Sequence, residues 1–555
     1  MPSLGRWSDV RRRLREVAAI LVLPFCGVIA TPAGSHAEPP QVQRFFPPGG
    51  TRGQTVDVEL TAKFGEAKID VWTHQGKLKW EPKDKGKFQV AIATDAEPGV
   101  HLVRFFNADG ASALQRFVVS ATPETNEREP NNRMGQSQLI DAAPRVINGL
   151  LEKAGDVDIY SLRLTAGTTL VAAIDAERFL ASPVDACLQI VDEKENVLAM
   201  NLDYHGLDPH VTWVVPRDGL YGVRVFGFPA APDSSIRLAG GDNYLYRLTS
   251  TTGAYLEATV PLAVSSTIDT ALKPHGWNLQ SSAAPLVVKP VSAGAASGPN
   301  GYRVLFDGTT GSLTIPVVSE TIFVTSSALG EAFKPTAVTV PASITGCLSQ
   351  AKAEDVIVFD AKKGERLVAV LESRALGYPL DAVLRIESAD GKQLAQADDS
   401  KSDRDPSLRW TATADGQFRV VVSEVNQMAA PHGYYRLTIG YEVPSYAATT
   451  TADLLSTKVG QPLALTVAIA RQNGFDKRLT FKLIDPPAGI SVEPVTSEPT
   501  GDTAKEVKLN LTASSPFNGP IQVGVVRDGD EAGVTDAFVQ ATGSQLHDLW
   551  LVVLP

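Results

Sequence analysis

The chain has 555 residues, 43% of them apolar and 20% charged, with a formal net charge of -11. That length exceeds what one hydrophobic core supports, so several domains are expected, and the apolar fraction excludes a largely disordered chain. The acidic balance excludes nucleic acid as a partner, because a phosphate backbone would be repelled.

The first residues carry Arg11-Arg12-Arg13 and Arg15, a mostly apolar run from Val17 to Ala30, and the small-residue site Ser35-His36-Ala37. This is the pattern of a signal peptide, residues 1–37, cleaved after Ala37, and it predicts an exported protein that is periplasmic, cell-surface or extracellular. The apolar run is interrupted by Pro24 and Gly27 and is short for a membrane helix; no transmembrane segment is expected in the mature chain. Without the leader the formal charge falls to about -14.

Residues 38–125 alternate polar and apolar positions, as in Thr55-Val56-Asp57-Val58-Glu59-Leu60, between turns at Pro48-Gly49-Gly50, Lys85-Gly86 and Asp109-Gly110. Period two with such turns predicts a small β-sandwich. A duplication follows. Gly149, Asp158, Gly167, Leu188, Asp208-Pro209, Trp213 and Asp218-Gly219 return as Gly346, Asp355, Gly364, Leu384, Asp405-Pro406, Trp410 and Asp415-Gly416, at an offset of 197 or 196 residues. The repeated residues are turn glycines, Asp-Gly corners and alternating apolar positions, which build a β-domain. The two copies are placed at 126–253 and 344–443. Residues 254–343 echo the opening sandwich, with Val260-Pro261 matching Phe46-Pro47 and the run from Gly301 resembling that from Gly99. A last sandwich is expected over 444–555. The fold class is therefore all-β, a string of β-sandwich domains, and short linkers point to a stiff rod.

Of the mature chain's cysteines, Cys187 and Cys347 lie in different copies, where the equivalent residues are Val383 and Leu150. Apolar equivalents favour buried thiols over a disulfide joining the copies. The histidines are scattered; His205 and His210 are close, but a spacing of five within an Asp-Pro turn suits neither a helix nor a strand face, and they are read as surface-loop residues with metal binding the alternative. Trp213 and Trp410 are read as packed scaffold, with a stacking platform for sugar or peptide the other reading.

Glu127-Arg128-Glu129-Pro130-Asn131-Asn132, Ile147-Asn148-Gly149, Asp156-Val157-Asp158-Ile159-Tyr160, Ala166-Gly167 and Asp218-Gly219-Leu220-Tyr221 together resemble the bacterial pre-peptidase C-terminal (PPC) domain, a β-sandwich or jelly-roll module of secreted proteins. The flanking sandwiches look like immunoglobulin-like domains, and the five-module layout is similar to large exported proteins of planctomycete-type bacteria. PPC modules often accompany a secreted protease. This sequence has neither His-Glu-x-x-His nor a Gly-Thr-Ser nucleophile setting, so no catalytic residues are assigned and no enzyme is expected. The resemblance extends to collagen-binding domains of clostridial collagenases, in which a comparable acidic segment holds calcium. Carried over, it implies a calcium site formed by Glu127, Glu129, Asn131, Asn132, Asp156 and Asp158. Hard oxygen ligands suit Ca²⁺, while an ordinary solvated linker is the competing reading. The second copy, preceded by Phe333-Lys334-Pro335-Thr336, retains Glu354 and Asp355 and is not expected to bind calcium. The function that follows is a non-catalytic binding or scaffold protein with a protein or polysaccharide ligand; the alternative is an accessory subunit of a secreted peptidase or other hydrolase.

Overall fold

The computed structural model describes residues 38–64, 68–231, 237–280, 284–291, 301–399, 404–529, 537–541 and 546–555. The expected signal peptide lies outside these. Strands dominate: among the described residues the helical elements are the single turn Glu177–Leu180 and two 3-10 turns. No helix is long and apolar enough to cross a membrane.

The opening sandwich pairs a sheet ordered Gln41–Phe46, Thr55–Lys63, Lys87–Ile92, Leu78–Asp84 with one ordered Gly49–Thr51, Gln115–Ser120, Gly99–Asn107, Asp70–Thr73. The inward positions of the alternating strands meet in an aromatic core. Trp80 packs edge-on against Phe45, Phe88, Phe105 and Phe117 at ring separations between 5.4 and 5.8 Å. Such contacts add to the area these rings bury.

The duplicated sequence folds into two modules with one strand order. In the first, one sheet runs Glu124–Asn126, Arg145–Leu150, Leu245–Thr251, Thr169–Asp175, His210–Val214. The other runs Gln138–Leu139, Asp158–Leu164, Gly219–Pro229, Val184–Val191, Val197–Asn201. In the second, the matching strands are Thr321–Val324, Ala342–Cys347, Tyr434–Tyr441, Arg366–Glu372, Ser407–Thr411 and Thr336–Ala337, Glu354–Ala361, Gly416–Glu424, Ala382–Ser388, Gln393–Ala397. Each sheet in both modules begins with a parallel pair and continues antiparallel. Two expected boundaries therefore move. Position 126 falls within the strand Glu124–Asn126, and position 344 falls inside Ala342–Cys347, so the second module starts at Thr321. Short edge strands carry too little periodicity to be read from sequence.

This shift leaves the middle sandwich small. It has one three-stranded sheet, Tyr255–Val260, Thr270–Trp277, Leu286–Val288, and two two-stranded ribbons around Val264, Leu272, Val288, Val304 and Ile315. Its echo of the opening sandwich extends to the backbone: Gly99 and Gly301 have φ of 130° and 129°, a region that excludes most side chains. The last sandwich has sheets of five and six strands over a core that includes Leu465, Phe481, Leu509, Val523 and Leu551.

The modules do not form a rod. Trp550 in the last sandwich lies 5.6 Å from Trp72 and 5.2 Å from Phe106 in the first, ring to ring. The Arg104 guanidinium, 1% exposed, meets Asp453 at 2.6 Å across the same joint. The chain closes on itself because large aromatic surface at its two ends is buried by mutual contact. The modules surround a cavity of about 1050 Å³ that is open to solvent. Arg116, Arg178, Arg303 and Arg374 contribute to its lining, with Glu97 and Glu372 among the acidic groups.

The expected thiols are free and buried, with Cys187 at 1% and Cys347 at 8% exposure. Trp213 and Trp410 are packed in equivalent ways, edge-on to Tyr221 at 4.9 Å and to Phe418 at 4.7 Å, on the cores of their modules. This is the scaffold arrangement.

Candidate metal centres

The acidic segment after strand Glu124–Asn126 is drawn against strand Asp158–Leu164 by a backbone bond, Ile159 N–H to the Asn131 carbonyl, at 3.0 Å. The Glu127 N–H bonds the Asn148 carbonyl at 2.9 Å, which fixes the start of the segment on the neighbouring sheet. Between these anchors Glu127, Glu129 and Asp158 converge, with carboxylate oxygens within 4.8 Å of one another.

Few proton donors answer this charge. Glu127 accepts from Leu150 N–H at 2.8 Å, Glu129 from Asn131 N–H at 3.1 Å, and Asp158 from the Tyr246 hydroxyl at 2.6 Å. Glu127 Oε2, Asp158 Oδ1, Asn131 Oδ1 and Asn132 Oδ1 are buried without a hydrogen-bond partner. Burial, with the Asp158 charge next, pushes the Glu127 carboxyl up to about 9. Burial likewise raises Asp158 and Glu129. The convergent carboxylates of Glu127, Glu129 and Asp158, with orphaned side-chain oxygens on Asn131 and Asn132 in the same segment, are hard-oxygen donors of the type that calcium takes. Asp156 is placed differently. Its Oδ2 caps the Glu152 N–H at 2.6 Å and its Oδ1 lies 3.4 Å from the Asn132 amide nitrogen, so it braces the segment from behind.

The second module supplies an internal comparison. Thr325 N–H bonds the Thr345 carbonyl at 2.9 Å, the counterpart of the Glu127 bond to Asn148, so Thr325 and Ser327 stand where the first module has Glu127 and Glu129. Asp355, the counterpart of Asp158, accepts from Ser327 at 2.6 Å, Tyr435 at 2.7 Å and Thr325 at 3.2 Å. Three hydroxyl donors neutralise there what two further carboxylates aggravate in the first module. The sequence segment set against the acidic run, Phe333 to Thr336, lies too far along the chain to be its counterpart.

A second cluster joins His205 and His210 to a residue of another module. His205 and His210, expected on a surface loop, are folded under the turn between strands Val197–Asn201 and His210–Val214 and covered by the middle sandwich. Asp208 anchors this turn by accepting the N–H groups of Ala176, Glu177 and Arg178 at 2.9–3.1 Å. Glu257, from strand Tyr255–Val260 of the middle sandwich, meets the two imidazoles, and the three donor atoms lie within 4.8 Å of one another. The side chains of His210 and Glu257 are 1% and 2% exposed. Burial pushes Glu257 up to about 7 and His210 down to about 3. No spacing in one module could reveal a group completed by another; the available signal was two histidines beside an Asp-Pro turn.

No family model matches the chain. A curated relative, a probable subtilase-type serine protease of Deinococcus radiodurans, is 30% identical over 98 residues, 18% of this chain and 14% of its own length. The chain thus spans about a seventh of that protein. Among solved structures, the pre-peptidase C-terminal domain of a collagenase from Bacillus anthracis aligns with 19% of this chain and 94% of its own, at 12% identity and a TM-score of 0.16. The four N-terminal Ig domains of Dscam1 align with 93% of this chain and 99% of their own, at 10% identity and a TM-score of 0.20. The all-β sandwich architecture stands on the strand orders given above.

Proposed function

We propose that this chain is an exported, non-catalytic binding protein whose first duplicated module is ordered by Ca²⁺ and presents its loops to a protein or polysaccharide ligand. The observation that carries the reading is the convergence of Glu127, Glu129 and Asp158 with orphaned oxygens, in a module whose sister fills the same place with hydroxyl donors. Glu127, Glu129, Asp158, Asn131 and Asn132 would hold the ion, which supplies the positive charge that this buried cluster lacks. Asp156 would orient Asn132. Ordering the segment 127–132 couples the ion to the edge of one sheet, where a ligand could meet it.

Co-sedimentation with insoluble polysaccharide, cell-wall material and protein fibres, in Ca²⁺ and in chelator, tests this. Calcium-dependent retention that Glu129→Ala abolishes supports it, and equal behaviour in both buffers argues against it. A second reading, an accessory subunit of a secreted hydrolase, is favoured by the partial likeness to a probable subtilase-type protease. Cross-linking in the exported fraction that recovers a hydrolase would support that reading instead.

A further inference from the structure

His205, His210 and Glu257 come from two modules, and a third meets them through the Gly377 carbonyl. His205 Nδ1 hydrogen-bonds the Gly377 carbonyl in the second repeat, which requires the proton on Nδ1 and leaves Nε2 as a lone-pair donor. Nε2 lies 4.0 Å from Glu257 Oε1, and His210 Nδ1 lies 3.8 Å from Glu257 Oε2. These separations are too long for hydrogen bonds. Both ring nitrogens of His210 are buried without a partner. The ring is held by Trp277 at 4.6 Å, Tyr204 at 4.9 Å and Tyr255 at 5.3 Å, so it faces Glu257 without bonding it. A structural His–Glu pair would have closed this gap.

We infer that His205 Nε2, His210 Nδ1 and a Glu257 carboxylate oxygen form a binding site for a Zn²⁺-class divalent metal that fastens the first repeat to the middle sandwich. Ligand bonds of about 2.0–2.2 Å in tetrahedral geometry place donors roughly 3.4 Å apart, closer than the 3.8 and 4.0 Å His–Glu separations and inside the 4.8 Å that bounds all three donor atoms. Small side-chain rotations close that difference. Two imidazoles and one carboxylate suit Zn²⁺ or Co²⁺, whereas the all-oxygen cluster at Glu127 suits Ca²⁺, so the two sites differ in the metal they select. The outer contacts are those expected of metal ligands: a backbone carbonyl orients His205, and the Tyr204 hydroxyl orients Glu257 Oε1 at 2.9 Å. Arg178, the nearby fixed positive charge, is paired with Asp175 at 3.1 Å. His205 and Glu257 both border the central cavity, from which water can complete the coordination.

The test uses the intact chain, stripped by chelator and dialysed, with Co²⁺ as the spectroscopic probe and Zn²⁺ as competitor. One Co²⁺ per chain with intense visible absorption, displaced by Zn²⁺, is expected. Glu257→Gln, which keeps the Tyr204 contact, and His210→Ala should each weaken binding at least about tenfold. Glu129→Ala should leave Co²⁺ binding unchanged, which separates this site from the calcium reading. Absence of stoichiometric Co²⁺ or Zn²⁺ binding, or equal affinity in the wild type and a folded Glu257→Gln variant, overturns the inference.

Discussion

Asp158 and Asp355 occupy one position in two modules of the same strand order, yet Asp355 receives three hydroxyl hydrogen bonds and Asp158 receives one while facing two glutamates. Both carboxyls are raised by burial. At Asp355 the hydrogen bonds from Ser327, Tyr435 and Thr325 work against that rise. The first module therefore carries a charge problem that the second has solved with protein atoms.

Transplanting that solution should remove the need for an ion. The double substitution Glu127→Thr with Glu129→Ser installs the residues of the second module. In chelator it should stabilise the first module by about 1–3 kcal/mol, the scale of relieving buried unsatisfied polar groups. Thermal melting in chelator and in Ca²⁺ checks this: the variant should melt higher than wild type in chelator and show no response to Ca²⁺.

The pH dependence has a definite sign. Glu127 is raised from 4.5 to about 9, so between those values the folded state holds a proton that the unfolded state releases. Stability from this group is complete below about 4.5 and is lost as pH rises toward about 9. In chelator the melting temperature should fall from pH 5 to pH 8. Excess Ca²⁺ should flatten the decline, and its affinity should rise over the same interval because binding displaces the proton.

Closure of the chain depends on a small aromatic joint. Trp550→Ala removes a ring that is 2% exposed and packs on Trp72 and Phe106, at a cost of about 3–5 kcal/mol. Small-angle scattering should show a larger radius of gyration for this variant than for the wild type. An unchanged radius would mean that the polar contacts across the joint, Arg104 to Asp453, His74 to Asp548 and the Asn518 amide to the Asn107 carbonyl, hold it without the ring.

The thiols should be inert. Burial pushes Cys187 up to about 11 and Cys347 up to about 12, far from the thiolate form that reacts. A thiol-specific reagent at pH 8 should leave both unlabelled in the native protein and label both after denaturation.

Much of this architecture was legible because its signals are local. The alternation at Thr55 to Leu60 became an interior strand of the opening sandwich, and the repeat from Gly149 to Tyr221 became two modules with matching sheets. The strands Glu124–Asn126 and Thr321–Val324 were missed at the boundaries because three- and four-residue edge strands pair in parallel with distant partners and lack a period of their own. The acidic residues at 127–132 were legible by type, but the bracing role of Asp156 depends on which way its carboxyl turns. Of the His205, His210 and Glu257 group only the two neighbouring histidines were legible, with metal binding as their alternative reading, since Glu257 arrives from another module and the burial of both histidines comes from docking. The closed arrangement rests on the same kind of contact, between residues such as Arg104 and Asp453 that are hundreds of positions apart.

Cation binding at the first module's carboxylate cluster is the property on which the proposed function rests. Calorimetric titration of the chelator-stripped intact chain with CaCl₂, beside the Glu127→Thr, Glu129→Ser variant, tests it most directly. One saturable site in the wild type and none in the variant is the predicted result. No saturable heat in the wild type, or the same heat in both proteins, would contradict it.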